Sequence, residues 1–200
     1  MHWPLHGLTL STPDLVLRAM TESDAGALAA VVPGDLEQDP RLAHVSPAAD
    51  VLQAYWRNAG LWLPTSWVLQ LTVLRDGEPI GLQALEGEDF AVRRTVDSHS
   101  WLVQNARGQG LGKQMRAAVL ELAFTHLAAQ WAVTEAWADN APSLGVSRSL
   151  GYVENGVDLH AGPRVMQRMR LAATDWTRPV PVGVTGLAPC LPLFGLTGAP

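Results

Sequence analysis

The run Arg107-Gly108-Gln109-Gly110-Leu111-Gly112-Lys113 places three glycines within five positions, directly after an apolar stretch and directly before a long segment free of proline and glycine. Glycine permits positive φ and close backbone approach. A helix beginning there aims unpaired N–H groups and the positive end of its dipole at whatever lies in front. The run is therefore read as a phosphate-binding loop, with a flexible surface loop as the alternative. A Walker A loop needs glycine at 107 and Ser or Thr after the Gly-Lys pair, where Arg107 and Gln114 stand. A dinucleotide fingerprint needs glycine at 113, where Lys113 stands, and a parallel βαβ setting. Just upstream, Asp97, His99 and Trp101 alternate onto one face of an expected strand, with Ser98 and Ser100 on the other. A carboxylate and an imidazole two residues apart are groups that move protons. The rival readings are a hydrogen-bonded structural carboxylate and a structural histidine. His2, His6, His44, His99, His126 and His160 show no i, i+4 pairing with acids, so no metal site is expected.

Elements of both kinds must position these groups. Asp14 to Arg18 reads as a strand, and Thr21-Glu-Ser-Asp24 as the cap of a helix running to Val31. Ser46-Pro47 starts a second helix, through about Asn58. Trp67 to Leu74 and Ile80 to Leu85 read as strands of a hairpin turning at Asp76-Gly77, and Val96 to Val103 as a third antiparallel strand. Glu86 to Thr95 reads as a solvated polar connection. Gln114 to about Ala129 reads as a helix buried over a wide arc, Thr134 to Ala138 as a short strand, Ala141 to Leu150 as a helix, and Val165 to Leu171 as a strand. From Thr174 onward proline and glycine crowd a tail with no helical pattern. Its apolar residues lead us to expect that it docks on the body or on a neighbouring subunit.

Composition narrows the classes. Two hundred residues, 48% hydrophobic and only 16% charged, lead us to expect one domain, or one domain with an appendage, rather than several domains or a disordered chain. A net charge of -5 argues against a phosphate-backbone binder, since such domains carry a basic surplus. The single cysteine, Cys190, cannot form an internal disulfide, and no apolar run approaches the ~20 residues of a membrane span. With no signal peptide pattern at the start, a cytoplasmic location is expected. Of fourteen basic residues one, Lys113, is lysine, and it falls in the first turn after the glycine loop.

Arg107-Gly-Gln-Gly-Leu-Gly112 between a strand and a helix, followed downstream by Asn140-Ala-Pro-Ser143 and Arg148-Ser-Leu-Gly-Tyr152, resembles the GNAT N-acetyltransferases in motif, order and spacing. Ser100-Trp101-Leu102 is similar to the strand end of the RimJ/RimL-like branch. His2-Trp3-Pro4-Leu5, Met115-Arg-Ala-Ala-Val-Leu120 and the Cys190-x-Pro-Leu-Phe194 tail resemble an actinobacterial subgroup in which succinyl-CoA is a described donor.

The resemblance implies an α/β fold: a mixed, mostly antiparallel bent sheet flanked by helices on both faces, spanning residues 1–173, with 174–200 as the Pro/Gly-rich tail. It implies that acetyl-CoA or succinyl-CoA is the acyl donor and a primary amine the acceptor, on a protein N-terminus, a lysine or a small molecule. Amides of Arg107, Gly108, Gln109, Gly110, Leu111 and Gly112, with Lys113, would bind the pyrophosphate; Leu102 and Val103 would lie along the pantetheine arm, and Asn140 and Ser143 would touch it. Asp97 stands where the branch often carries Glu and is named as the base, with His99 as its rival. Many members place a Tyr acid seven residues after the helix-starting Asn; that position here is Ser147, a weak acid able to relay a proton or bond the sulfur. The departure supports an alternative, a CoA-binding sensor or interaction module without turnover. No nucleic-acid or membrane partner is expected, and a homo-oligomer is.

Overall fold

Asp76 and Gly77 both take positive φ, 52° and 85°. Two such residues in succession form the turn whose twist matches the strands it joins. They close the longest hairpin of the computed structural model, which describes residues 3–36, 45–159 and 164–196. His2, His44 and His160, weighed above as metal ligands, lie outside the described residues.

In chain order the elements are β1 (Thr9–Ser11), β2 (Val16–Ala19), α1 (Glu22–Val31), α2 (Pro47–Gly60), β3 (Ser66–Arg75), β4 (Glu78–Glu88), α3 (Phe90–Arg93), β5 (Thr95–Asp97), β6 (Ser100–Leu102), α4 (Leu111–Glu121), β7 (Trp131–Trp137), α5 (Ala141–Ser149), β8 (Val153–Leu159), β9 (Val165–Ala172) and β10 (Gly183–Thr185). The strands form one sheet in the order β10-β1-β2-β3-β4-β5-β7-β9-β8, with β6 also on β4. Every pairing is antiparallel except β5 with β7.

Local chemistry explains the helix starts. Thr21 Oγ1 accepts from Asp24 N, while Asp24 Oδ2 accepts from Thr21 N, a reciprocal box that fixes the first turn of α1. The Arg18 guanidinium holds the same carboxylate at 2.7 Å from both nitrogens, tying α1 to β2. Ser46 Oγ caps α2, and Pro47 at its first position contributes the preset φ.

Alternation along β3 and β4 then divides the interior. Leu69, Leu71, Val73, Leu85 and Leu102 face α4, whose Met115, Ala118, Val119 and Leu122 are buried against them. Val68, Leu82, Ala84 and Trp101 face the other way, against Val51, Leu52 and Tyr55 of α2 and Leu28 of α1. Each fully buried Leu contributes about 1.5–3 kcal/mol.

The sequence-based expectation is corrected in five places. The strand expected over Val96 to Val103 is broken at Ser98 and His99 into β5 and β6. The polar connection expected over Glu86 to Thr95 is the end of β4 followed by α3: β4 pairs β3 as far as Ser66↔Glu88. The helix expected to Ala129 leaves α-geometry at Leu122, where Leu127 N reaches Leu122 O, and ends at His126; Ala128, with φ 56°, turns the chain so that Ala129 N reaches Ala123 O. β1, β8 and β10 are strands where none is expected. Ala188–Phe194, in the tail read as lacking helical pattern, is a 3₁₀ helix that buries Cys190 and Phe194 and stops at Gly195 with φ 73°. Phe194 sits among Trp62 and Trp67, with ring centroids at 5.7 and 4.9 Å.

Candidate active site

The site is built around a change of partner on β4. Glu86 pairs with Asp97 of β5, whereas Gln83, Leu82 and Gly81 pair with Ser100, Trp101 and Leu102 of β6. β5 runs parallel to β7 only from Thr95↔Trp131 to Asp97↔Val133. Beyond that point Thr134 to Trp137 of β7 pair with β9 alone, and β6 with β4 alone, among the described residues. The two strands therefore part, and each presents backbone N–H and C=O groups to a split. Its cause is a pair of side-chain bonds, one local and one from β7: Ser98 N donates to Asp97 Oδ1 at 2.6 Å, and Ser98 O accepts from Thr134 Oγ1 at 3.0 Å, so side chains take the groups a strand ladder would use.

The glycine loop lies at the open end of the split. After Leu102 the chain makes a 3₁₀ turn over Gln104–Ala106, passes through Gly108 at φ 74° and enters α4 from Gly110 at φ 77°. Gly110, the N-cap, has no side chain to accept from the first turn, so α4 begins with uncapped N–H groups. Gly112 is different. Its φ is not positive, and a Cβ there would meet Val146 Cγ2 at an ordinary 3.6 Å.

Side chains of the loop have protein partners. Arg107 Nε donates to Leu102 O at 2.9 Å, and its two terminal nitrogens hold Asp35 at 2.7 and 3.0 Å. Gln109 accepts from Arg75 and donates to Asn105 O, both at 2.7 Å. The loop side chains of Arg107 and Gln109 are thus engaged with protein partners, and no side chain caps the first turn of α4. Leu102 is buried and Val103 half-buried at the lip of the split.

Asn140 caps α5, its Oδ1 accepting from Ser143 N at 3.2 Å. Ser147, one turn on, is 1% exposed and donates its hydroxyl to Ser143 O at 3.2 Å. Pro142 sits in the first turn of the helix. Asn140, Ser143 and Ser147 therefore share one helix but not one solvent-facing surface.

On the face opposite α4, Asp97 and Glu86 are cross-strand neighbours, and His99 Nδ1 lies 2.7 Å from Glu86 Oε1. The His99 contact holds the Glu86 carboxyl below its ordinary range against the opposing effect of burial. Asp97 goes the other way. Loss of hydration pushes its pKa up to about 6; the Ser98 amide and His99 oppose the rise, while the Glu86 and Glu135 carboxylates add to it. Asp97 is an exposed residue, so its carboxyl is open to solvent as well as to the Glu86 and His99 side chains. A carboxylate and an imidazole beside a split open to backbone pairing can bind an extended amide chain and accept a proton from a nucleophile.

Sequence reasoning assigned Glu86 to a solvated loop and gave Glu135 and Arg116 no role. The one available signal for Arg116 was a cation between Met115 and Ala117 on a helix read as buried. No group of three or more His, Cys, Asp or Glu residues able to hold a metal ion occurs among the described residues, and no described helix is long and apolar enough to cross a membrane.

Residues 14–153 match the model of the acetyltransferase (GNAT) domain family, and the chain belongs to that family. Solved structures share the fold over most of their length. A RimL ribosomal-protein α-N-acetyltransferase in complex with coenzyme A is 17% identical, with a TM-score of 0.68 over 80% of this chain and 95% of that one. Mycobacterium smegmatis RimJ in complex with a CoA disulfide is 18% identical, with a TM-score of 0.65 over 87% and 91%. A dodecameric spermidine N-acetyltransferase from Vibrio cholerae is 15% identical, with a TM-score of 0.63 over 80% and 95%.

Proposed function

We propose that the protein is an acyl-CoA-dependent N-acyltransferase of the RimJ/RimL-like kind, moving an acetyl group, or a succinyl group, to a primary amine. The observation that supports this best is the succession of three features along the chain: Asp97 where β5 parts from β7, strands β6 and β7 that share no backbone hydrogen bond among the described residues, and a glycine-started helix without a side-chain cap just beyond. The coenzyme would be held by the amides of Gly108 to Gly112 and by Lys113, its arm lying along Leu102 and Val103, with Asn140 and Ser143 beside it. Arg107, expected among the binding amides, has its own amide donating to Gln104 O and its side chain on Asp35, and so shapes the loop instead. The amine nitrogen attacks the thioester carbonyl carbon directly; Asp97, alone or through water, takes the nitrogen's proton. The C–S bond then breaks and the thiolate becomes the thiol with a proton that comes from solvent, Ser147 relaying that proton, which replaces its own, or donating a hydrogen bond to the sulfur.

The three similar structures name a ribosomal-protein N-terminus, RimJ and spermidine, and the acceptor here is a free amine of a protein N-terminus, a lysine or a small molecule. Glu86, Asp97 and Glu135 on the acceptor-facing side favour a cationic approach. A cytoplasmic homo-oligomer whose tail docks on the domain or on a neighbour completes the reading.

The test is release of free thiol when acetyl- or succinyl-CoA and a panel of amines are mixed with the protein. Release faster than with donor alone supports the reading, and silence with both donors across the panel rejects it. A second reading, a CoA-binding module without turnover, is favoured by one observation: the Ser147 hydroxyl is buried and engaged with Ser143 O. Tight CoA binding without thiol release would select it.

A further inference from the structure

Arg116 is 4% exposed in the middle of α4, and no carboxylate lies within ion-pair distance of it among the described residues. Its Nε has no hydrogen-bond partner. Its terminal nitrogens reach two hydroxyls, Thr134 Oγ1 at 3.3 Å and Ser100 Oγ at 3.5 Å. Both distances are long for a charged donor, whose bonds to an anion are about 2.7–2.9 Å. A buried guanidinium without a counter-charge is expensive, and a well-packed apolar side chain on the same helix would cost nothing comparable.

The two hydroxyls say what that cation is doing. Ser100 belongs to β6 and Thr134 to β7, the two lips of the split, which share no backbone hydrogen bond among the described residues. Thr134 Oγ1 also donates across it to Ser98 O. Arg116 therefore bridges the lips from beneath, and it does so from the helix whose first turn is the glycine loop. Ser98 Oγ and the Tyr152 phenol, buried nearby without partners, complete a polar floor, and the Arg116 charge and Ser98 oppose the rise that burial imposes on the phenol.

We infer that Arg116 is a positioning residue for acyl transfer: it sets the separation of β6 and β7 and places an uncompensated positive charge under the split. Such a charge favours the negative charge that develops on the thioester oxygen and the departing sulfur. The inference rests on the reading above for what enters the split, while the bridge itself stands on the contacts alone.

The test uses the full chain with Arg116→Met, Arg116→Lys and Arg116→Ala, and with Thr134→Val to break the bridge from its other end. In the ligand-free protein, amide hydrogen exchange over Ser100–Leu102 should accelerate by about tenfold or more in Arg116→Met and Thr134→Val. In turnover, kcat/KM for acyl-CoA should fall by about 10- to 100-fold in Arg116→Met, and less in Arg116→Lys, with KM for the amine within about twofold. Millimolar guanidinium should restore donor kinetics to Arg116→Ala, a rescue that lost packing alone does not give. Unchanged exchange in both bridge variants overturns the inference, as do donor kinetics per folded molecule within about twofold of the parent. If the parent turns over no donor, the enzyme reading falls and the exchange measurement still decides the bridge.

Discussion

Arg107 and Asp35 form a bidentate ion pair, at 2.7 and 3.0 Å, that joins the glycine loop to the connection leaving α1. The Arg107 guanidinium, bonded to the Asp35 carboxyl, is the main reason that carboxyl sits below its ordinary range. The residue that marks the phosphate motif in the sequence is thus neutralised by protein rather than offered to phosphate.

Releasing that cation should therefore help the ligand. Asp35→Asn is expected to tighten CoA binding about two- to fivefold at low ionic strength, the gain fading as salt rises. Isothermal titration at two salt concentrations checks this. Weaker binding in Asp35→Asn would mean the pair holds the loop in its binding shape.

Asp97 must be ionised to accept a proton, so kcat/KM should rise with pH through a limb near the value of about 6 to which its surroundings push it. Asp97→Asn should remove the limb and lower the rate by about 10²–10⁴. Glu86→Gln removes a neighbouring negative charge and should move the limb to lower pH. A pH–rate profile for each variant decides, and a limb that survives Asp97→Asn moves the base assignment to His99.

The same shift has a sign in stability. A carboxyl whose folded pKa is raised favours folding while protonated and disfavours it once ionised, so its contribution is lost as pH rises from its ordinary value through about 6. Asp97→Asn should accordingly unfold at a higher temperature than the parent at pH 8, with the difference shrinking by pH 4. Equal melting temperatures at both pH values would place the carboxyl in ordinary solvent.

Gly110 and Gly112 should respond differently to alanine. Gly110 stands at φ 77°, where an L side chain costs about 1–2 kcal/mol, and Gly110→Ala should lower both the melting temperature and CoA affinity. Gly112 lies inside α4 without positive φ and with room for a methyl; there the helix gains up to about 1 kcal/mol from alanine. Calorimetry on the two variants separates a conformational need from a sequence signature.

The tail makes a stability prediction. Phe194 is fully buried against Trp62 and Trp67, and Phe194→Ala should cost about 3–5 kcal/mol, read by denaturant unfolding followed through tryptophan fluorescence. Sedimentation at micromolar concentration, run beside it, tests the homo-oligomer, which a monomer alone would contradict.

What was legible in the sequence was what local chemistry decides. The Asp76-Gly77 turn, the Thr21 cap and the glycines at 108 and 110 need only their own residues to adopt their shapes. The break at Ser98 was not legible, because it depends on Thr134, 36 residues on, supplying a hydroxyl to the Ser98 carbonyl. Glu86 read as loop because it is charged, yet register places it opposite Asp97 within reach of His99. β8 was missed because its residues are mostly exposed, as suits an edge strand, and leave no alternating pattern. The 3₁₀ helix of the tail hid among prolines, which tolerate that tighter turn while erasing any 3.6-residue period.

β10 lies against β1, with Thr9 beside Thr185, so the sheet's outer seam joins segments from opposite ends of the sequence. During synthesis β1 emerges about 170 residues ahead of β10, and the edge that β10 covers stays bare for that interval. Closing that seam costs more loop entropy than closing a hairpin such as β3–β4, because the residues it joins are far apart in the chain. A β10 supplied by a second copy would meet the same register along Thr9 to Ser11, which is the geometry that strand exchange between copies requires.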